Sequence, residues 1–149
     1  RKGHFYFVRS FSEESNQEAK RGMEKNGKKL LLFDTRIWRI AESLVYCSNL
    51  CRELNLDPEQ VVLYSIRHAG LSGRVLGVSN PHRAGFFRDY KCHVNDRETV
   101  LSLQSGSITG GLKDHVFEVS SELFEMFDFY KADRAIVSSV VDEFMKWRV

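Results

Sequence analysis

The sequence contains few of the residues that mark the more specialised classes of protein. Its 149 residues include only 3 Cys and 2 Pro. No apolar run approaches the roughly 20 residues that a membrane-spanning helix needs, so no membrane partner is expected. A small, odd number of cysteines argues against a disulfide-stapled secreted domain and favours a reducing compartment, so we expect a cytoplasmic protein. A hydrophobic content of 42% excludes a disordered chain.

Both ends of the sequence indicate a larger parent protein. The chain begins at Arg1-Lys2-Gly3 without Met, and it ends within an amphipathic pattern at Trp147-Arg148-Val149. The length suits one domain, and no linker or internal repeat divides it. We therefore expect residues 1–149 to form a single domain that is a fragment of a longer chain, with the other domains of that chain among its partners.

Three segments have the periodicity of helices that bury one face. The first spans about Asp34–Leu54, where the side chain of Asp34 or Thr35 is the predicted cap. The second and third span about 112–128 and 132–147, and Asp133 is the predicted cap of the third.

The other regular segments are rich in β-branched and aromatic residues, which is typical of strands. Short connections between them suit antiparallel neighbours. The sequence therefore predicts an α+β fold, an antiparallel meander of four to five strands with about three helices packed on one face. Residues 12–29 have almost no apolar face and are expected to form a polar, solvated excursion. The predicted strands are His4–Val8, Val61–His68, Arg74–Val78, Phe86–Val94 and Glu98–Leu103.

Charge is distributed unevenly along the chain. Residues 66–97 carry six Lys or Arg against two Asp or Glu, whereas residues 112–149 carry five against eight. This asymmetry is typical of a binding face for an anion or nucleic acid, and equally of two elements that pack on each other. The first interpretation requires the cations to share one water-facing surface. The candidate anion-binding residues are Arg67, Arg74, His82, Arg83, Arg88 and Lys91.

The loop Asn80–Arg88 mixes cations, aromatic residues and loop breakers. Cations next to exposed rings suit phosphate contact combined with base stacking. The alternative is that Phe86 and Phe87 turn inward and that the cations are merely solvated. The loop is therefore the strongest candidate for nucleic-acid or anionic-ligand binding, provided that its rings face water.

Asp89-Tyr90-Lys91 resembles the acid-x-Lys element of restriction-type nucleases. Residues two apart on a strand share a face, so this carboxylate and this lysine could meet one Mg²⁺ and one phosphate. A neighbouring strand should supply another acid, but Val61–His68 and Arg74–Val78 contain none. A metal-dependent nuclease using Asp89 and Lys91 is thus an alternative function.

Other motifs depart from the patterns they resemble. Arg67–Ser72 is similar to the coenzyme A pyrophosphate loop of N-acetyltransferases, but a predicted strand follows it instead of a helix. Gly106–Gly111 lacks the Gly-Lys-Ser/Thr ending of a Walker loop. We therefore predict no catalytic residues, no metal and no cofactor. The residues considered for zinc are Cys47, Cys51, His68, Cys92 and His93, of which the first two lie on an apolar helix face.

The helix Leu112–Tyr130 leads to a third interpretation. Phe117 and Phe129 lie off its main apolar face, so either ring could be exposed and contact a partner. The chain would then be a purely structural module that forms a homo-oligomer.

The stretches Asp34–Leu44, Val61–His68 and Gly70–Leu76 together resemble a region of some bacterial multidomain proteins. That region lies downstream of the AlbA-type, Schlafen-like DNA-binding or ATP-binding domain, and the proteins are often described as transcriptional regulators. The resemblance covers residues 34–78, about a third of the chain. It implies a non-catalytic accessory domain of a bacterial, nucleic-acid-associated protein and carries over no catalytic residue.

Overall fold

The computed structural model describes residues 3–9 and 27–147. The predicted α+β class and its three helices are confirmed. None of the helices in these two ranges is long and apolar enough to cross a membrane. The elements are β1 (Leu30–Leu32), α1 (Phe33–Glu53), β2 (Val61–Ala69), β3 (Val75–Gly77), β4 (Asp96–Gln104), α2 (Leu112–Glu125) and α3 (Arg134–Trp147).

Within residues 3–9 and 27–147 the predicted antiparallel meander of four to five strands is not confirmed, and the strands form two sheets of two strands each. β2 and β4 are antiparallel over their whole length, from the pair Val61 and Gln104 to the pair Ala69 and Asp96. β3 is the parallel neighbour of β1 and not the hairpin partner of β2. The three leucines of β1 explain this pairing, because Leu31 and Leu32 are buried and a buried strand must satisfy its backbone groups.

Two of the predicted strands are wrong. Residues 3–9 have no regular secondary structure and are exposed. Within Phe86–Val94, only Lys91 and Cys92 form isolated bridges, to Val75 and Phe127. Phe86 and Tyr90 turn inward while residues 87–89 are exposed, and this spacing of four does not suit the two-residue alternation of a strand. Most of the predicted polar excursion of residues 12–29, namely residues 12–26, lies outside the described residues.

The helices form the centre of the core. α1 packs against α2 and α3, which also pack against each other. The inner face of the β2–β4 sheet lies on these helices, and the Tyr64 hydroxyl is 2.6 Å from the Ser43 hydroxyl of α1. The outer face is open, with Leu63 exposed. The fully buried side chains include Leu31, Ile37, Ile40, Leu44, Leu71, Ile108, Leu123, Phe124 and Phe127.

One of the two predicted helix caps is confirmed. The Asp133 carboxylate accepts hydrogen bonds from the N–H groups of Ala135 (2.8 Å) and Ile136 (3.0 Å) at the start of α3. α1 begins earlier than predicted, at Phe33, and has no side-chain cap. The buried carboxylate of Asp34 instead accepts the N–H groups of Ser79 (2.8 Å) and Asn80 (2.9 Å). Asp34 therefore anchors the start of the loop that follows β3.

Candidate functional site

The predicted cations do not share one surface, and two of them are part of the fold. Arg74 is 4% exposed; its guanidinium donates to the carbonyl oxygens of Gly70 (2.7 Å) and Leu30 (3.1 Å). Arg83 lies 2.6 Å from the Glu143 carboxylate of α3. Anion binding by Arg74 and Arg83 stays a prediction that their placement does not favour, because Arg74 stabilises the fold from a buried position and Glu143 of the closing helix pairs with Arg83.

Arg67 and His82 lie on other parts of the surface. Arg67 is on the outer face of β2, where its guanidinium is 2.7 Å from the Asp96 carboxylate. An exposed ion pair of this kind contributes little stability, so it leaves the arginine accessible. His82 is exposed in the loop after β3, and its backbone N–H donates to the Asn80 side chain at 2.9 Å. Anion binding by these two residues stays a prediction.

Arg88 and Lys91 are exposed beside an outward-facing ring. Phe86 turns inward, whereas Phe87 is 87% exposed. The Phe87 ring lies 5.7 Å from that of Tyr90, and the Arg88 guanidinium lies 4.3 Å from the same tyrosine ring. Such a cation–π contact holds the arginine against an apolar surface without removing its charge. Phe86 thus follows the interpretation in which the rings turn inward, and Phe87 follows the one in which they face water.

A cluster of packed rings supports this surface from below. Phe33 stacks on Phe124 with ring centroids 4.4 Å apart, and Tyr130 lies edge-on to both Phe86 (5.2 Å) and Tyr90 (4.8 Å). Edge-to-face pairs of this kind contribute about 0.5–1.5 kcal/mol each beyond burial. We call these five residues the aromatic cluster. Because the cluster fixes Tyr90, it provides a rigid base for Phe87 and Arg88.

The chain after α2 contains a strained turn. Asp128 and Phe129 both have left-handed backbone conformations, with φ of 50° and 58°. A non-glycine residue costs roughly 1–2 kcal/mol in this conformation. Many helices place a glycine there, but residues 112–149 contain none. Phe129 is also 83% exposed, so its ring gains little from burial to offset the strain.

The strained turn is tied to the loop that carries Arg88. The Asp128 carboxylate accepts the Lys91 N–H at 2.8 Å and lies 3.0 Å from Nε2 of His93. The bond from Lys91 and then the contact with His93 hold the pKa of Asp128 below its usual range. The two segments therefore present one continuous surface. We call its outward-facing residues the exposed rim: Phe87, Arg88, Lys91, His93 and Phe129.

Two of the cysteines considered as metal ligands lie in environments that disfavour their thiolate forms. Burial and the neighbouring Cys51 raise the pKa of Cys47 to about 11, and burial raises the pKa of Cys92, so both thiols are protonated near neutral pH. Among residues 3–9 and 27–147, no group of three or more His, Cys, Asp or Glu could hold a metal ion. Within the described residues, the candidate zinc ligands therefore do not meet in a group of three or more.

The nuclease alternative gains no support from the placement of its two residues. Asp89 forms an ion pair with Lys28 and lies outside any strand. Lys91 bonds to Asp128 through its backbone N–H and not through its ammonium group. The acid and the lysine consequently have different neighbours, and the common metal–phosphate site expected from their spacing is not built.

The two other loops also differ from the sites that they resemble. The turn after β2 leads to β3, so it provides no helix start for a pyrophosphate. Residues 106–111 do precede α2, beside a cavity of about 360 Å³. Each nearby cation has a carboxylate beside it: Lys113 lies 2.8 Å from Asp142, and Arg134 lies 2.6 Å from Asp114. Neither loop therefore has the features of the site that it resembles.

A second cavity, of about 590 Å³, lies where α1 meets α3 and includes Trp38, Phe144 and Trp147 in its wall. Its charged groups pair with each other or with neighbours, as in the Arg39–Glu42 contact of 2.8 Å. Sequence reasoning missed this cavity because its walls come from segments more than 100 residues apart. It is a weaker candidate than the exposed rim for an anionic ligand, because the rim has cations that face water.

Sequence reasoning also missed His93 and Asp128 as parts of the rim. A weak signal for the strained turn was present, since many helices end in a left-handed residue and residues 112–149 contain no glycine to adopt that conformation. No family model, curated protein or solved structure matches this chain.

Proposed function

We propose that this chain is a non-catalytic accessory domain that binds nucleic acid through the exposed rim. The observation that carries the proposal is the 87% exposure of Phe87 beside Arg88 and Lys91. Because the Phe87 ring faces water beside the aromatic cluster, it contributes little to core burial, but it can stack on a nucleobase. The adjacent cations can then contact phosphates.

The electrostatics of the rim favour an anionic ligand over an apolar one. The two carboxylates nearby are already engaged, Asp89 by Lys28 and Asp128 by Lys91 and His93. Arg88 and Lys91 form no ion pair within the described part of the chain. Their charges therefore face water, as phosphate contacts require. We also propose that the domain belongs to a longer nucleic-acid-associated protein, as the resemblance of residues 34–78 implies.

The test is a titration of fluorescently labelled oligonucleotides at about 50 mM and about 200 mM salt, followed by anisotropy. We expect binding that weakens as salt rises, because phosphate contacts release counterions. The double variant R88A/K91A should bind about tenfold more weakly at low salt and show a smaller salt dependence.

The matched control is the double variant R52A/K113A, which removes two exposed cations from α1 and α2. It should bind like the wild type. No binding at low salt, or an equal loss of affinity in both double variants, would refute the proposal.

Self-association is a second candidate function, favoured by the open face of the β2–β4 sheet. Leu63 is 76% exposed there, with Val61 at 53% on the same strand and Val100 at 56% diagonally across on β4. A two-stranded sheet is marginal on its own, and a second copy packed on these aliphatic groups would stabilise it. Light scattering should then show a dimer that dissociates in the variant L63S. A wild-type monomer at high concentration would exclude this function.

A further inference from the structure

Phe129 combines two unfavourable features, a left-handed backbone and an exposed ring. Glycine or asparagine would adopt the same φ with less strain. Neither replacement would remove a buried apolar group, because the ring is 83% exposed. Stability therefore does not explain the phenyl ring at this position.

The neighbours of Phe129 hold its ring outward. Phe127 is fully buried on one side, and Tyr130 packs in the aromatic cluster on the other. Asp128 is fixed by the Lys91 N–H and by His93. With both flanking residues anchored in the fold, the backbone of Phe129 is held in the left-handed conformation that exposes the ring. Phe129 is thus a preorganised exposed ring.

The two exposed rings of the rim are each next to one member of the packed pair Tyr90 and Tyr130. Phe87 contacts Tyr90 at 5.7 Å, Tyr90 contacts Tyr130 at 4.8 Å, and Phe129 precedes Tyr130 in the chain. Arg88 lies over Tyr90 and is close enough to Asp128 to influence its carboxylate. Two exposed rings and a cation are therefore attached to one packed pair of tyrosines.

We infer that the ligand of the exposed rim is a single-stranded nucleic acid and that Phe129 is its second stacking residue beside Phe87. This inference rests on the function proposed above. In a duplex the faces of the bases are covered by their neighbours, whereas unpaired bases can splay out and stack on aromatic side chains. Stacking tolerates any base, so the expected ligand class is a strand without a required sequence.

The test compares a 12-nucleotide single strand with the 12-base-pair duplex of the same sequence, using wild type and four Phe129 variants. We expect the wild type to prefer the single strand. F129W and F129Y keep a flat ring and should bind like the wild type, whereas F129L keeps only apolar bulk and should bind about tenfold more weakly. F129N should also bind about tenfold more weakly while its melting temperature rises, because asparagine relieves the backbone strain.

A second readout follows stacking directly. The indole of F129W should lose fluorescence when the single strand binds, whereas the wild type, which contains only Trp38 and Trp147, serves as the reference signal. Quenching of F129W beyond that reference supports a base on the ring.

The outcomes separate this inference from the proposed function. If the wild type binds no nucleic acid, or if R88A/K91A binds unchanged, both fail. If R88A/K91A weakens binding but F129L binds like the wild type, or if the duplex binds as tightly as the single strand, the inference alone is overturned. A loss of affinity in F129L together with F129W and F129Y also overturns it, since a stacking ring must be replaceable by another ring.

Discussion

The aromatic cluster and the exposed rim share two stretches of chain, one around Phe86 and one around Tyr130, and have opposite environments. Phe86 packs against Tyr130 inside the cluster, and the next residue, Phe87, points into water. At the second stretch, Tyr130 packs inside and the preceding Phe129 is exposed. The buried rings account for stability, whereas the exposed rings do not. Adjacent residues of one type can therefore serve the fold and a ligand separately.

The arginines divide in the same way. Arg74 is enclosed by backbone carbonyl oxygens and Arg83 is paired with Glu143, whereas Arg88 rests on Tyr90 with its charge toward solvent. Burying a charge is tolerated only where partners satisfy it. The net charge of a segment is consequently a poor guide to its binding surface, because part of that charge is used inside the fold.

The largest expected difference between the two regions is in stability. Phe124→Ala removes a fully buried ring that stacks on Phe33, and it should lower the free energy of unfolding by about 3–5 kcal/mol. Phe129→Ala should change it by about 0.5 kcal/mol or less, because the ring is exposed. Urea denaturation of both variants measures the contrast. Similar losses in the two would mean that the rim also supports the core.

The buried residue His68 makes the stability of the fold depend on pH. Burial, assisted by the charge of Arg36, lowers the pKa of His68 to about 4. The unfolded chain takes up this proton near its usual pKa of about 6.5 and the folded chain does not, so stability falls as pH drops from about 6.5 to about 4. The expected loss is about 3 kcal/mol.

The control for this pH effect is His68→Gln, which cannot titrate. As the pH falls below about 6.5, the wild type should lose this part of its unfolding free energy and H68Q should not, so the wild type becomes less stable relative to H68Q. A constant difference from pH 7 to pH 4 would show that His68 keeps an ordinary pKa in the folded chain.

Substituting Asp34 tests whether its carboxylate anchors the start of the loop that leads from β3 to the rim. Asp34→Ala removes the acceptor of the Ser79 and Asn80 N–H groups and should cost about 2 kcal/mol. Asp133→Ala, which removes the cap of α3, should cost about 1 kcal/mol. Thermal denaturation ranks the two. A smaller loss for Asp34 than for Asp133 would contradict its anchoring role.

The smallest effect on stability and a clear effect on binding are expected at Phe87. Phe87→Ser should leave the free energy of unfolding within about 0.5 kcal/mol of the wild type, because the ring is almost wholly exposed. Loss of one stacking contact should weaken oligonucleotide binding about tenfold. Denaturation and anisotropy on the same sample check both, and unchanged affinity would remove Phe87 from the binding surface.

Local patterns were sufficient to predict the helices. The three-and-four spacing of residues such as Ile37, Ile40 and Leu44 specifies a buried face within one element. Strand pairing was not predictable in the same way, because β1 and β3 are three residues long and more than 40 residues apart in sequence. A strand of three residues is too short to show a two-residue periodicity. Parallel partners are also not joined by a short turn that the sequence could reveal.

The site was predicted in part for a similar reason. Arg88, Lys91 and the Phe-Phe pair stood out as a mixture of cations and rings, and the structure exposes three of these four residues. Which ring faces water depends on Phe33, Phe124 and Tyr130, which come from other elements. Likewise, Glu143 reaches Arg83 only through the packing of α3.

The most direct test of the central claim is to map the ligand on the folded chain by NMR. Amide and aromatic shifts would be followed while a 12-nucleotide single strand is added at low salt. Binding through the exposed rim predicts shift changes concentrated in residues 86–94 and 126–131, with the inner rings of the cluster unchanged in packing. Changes centred instead on the Trp38–Trp147 cavity or at the start of α2, or no changes at all, would contradict it.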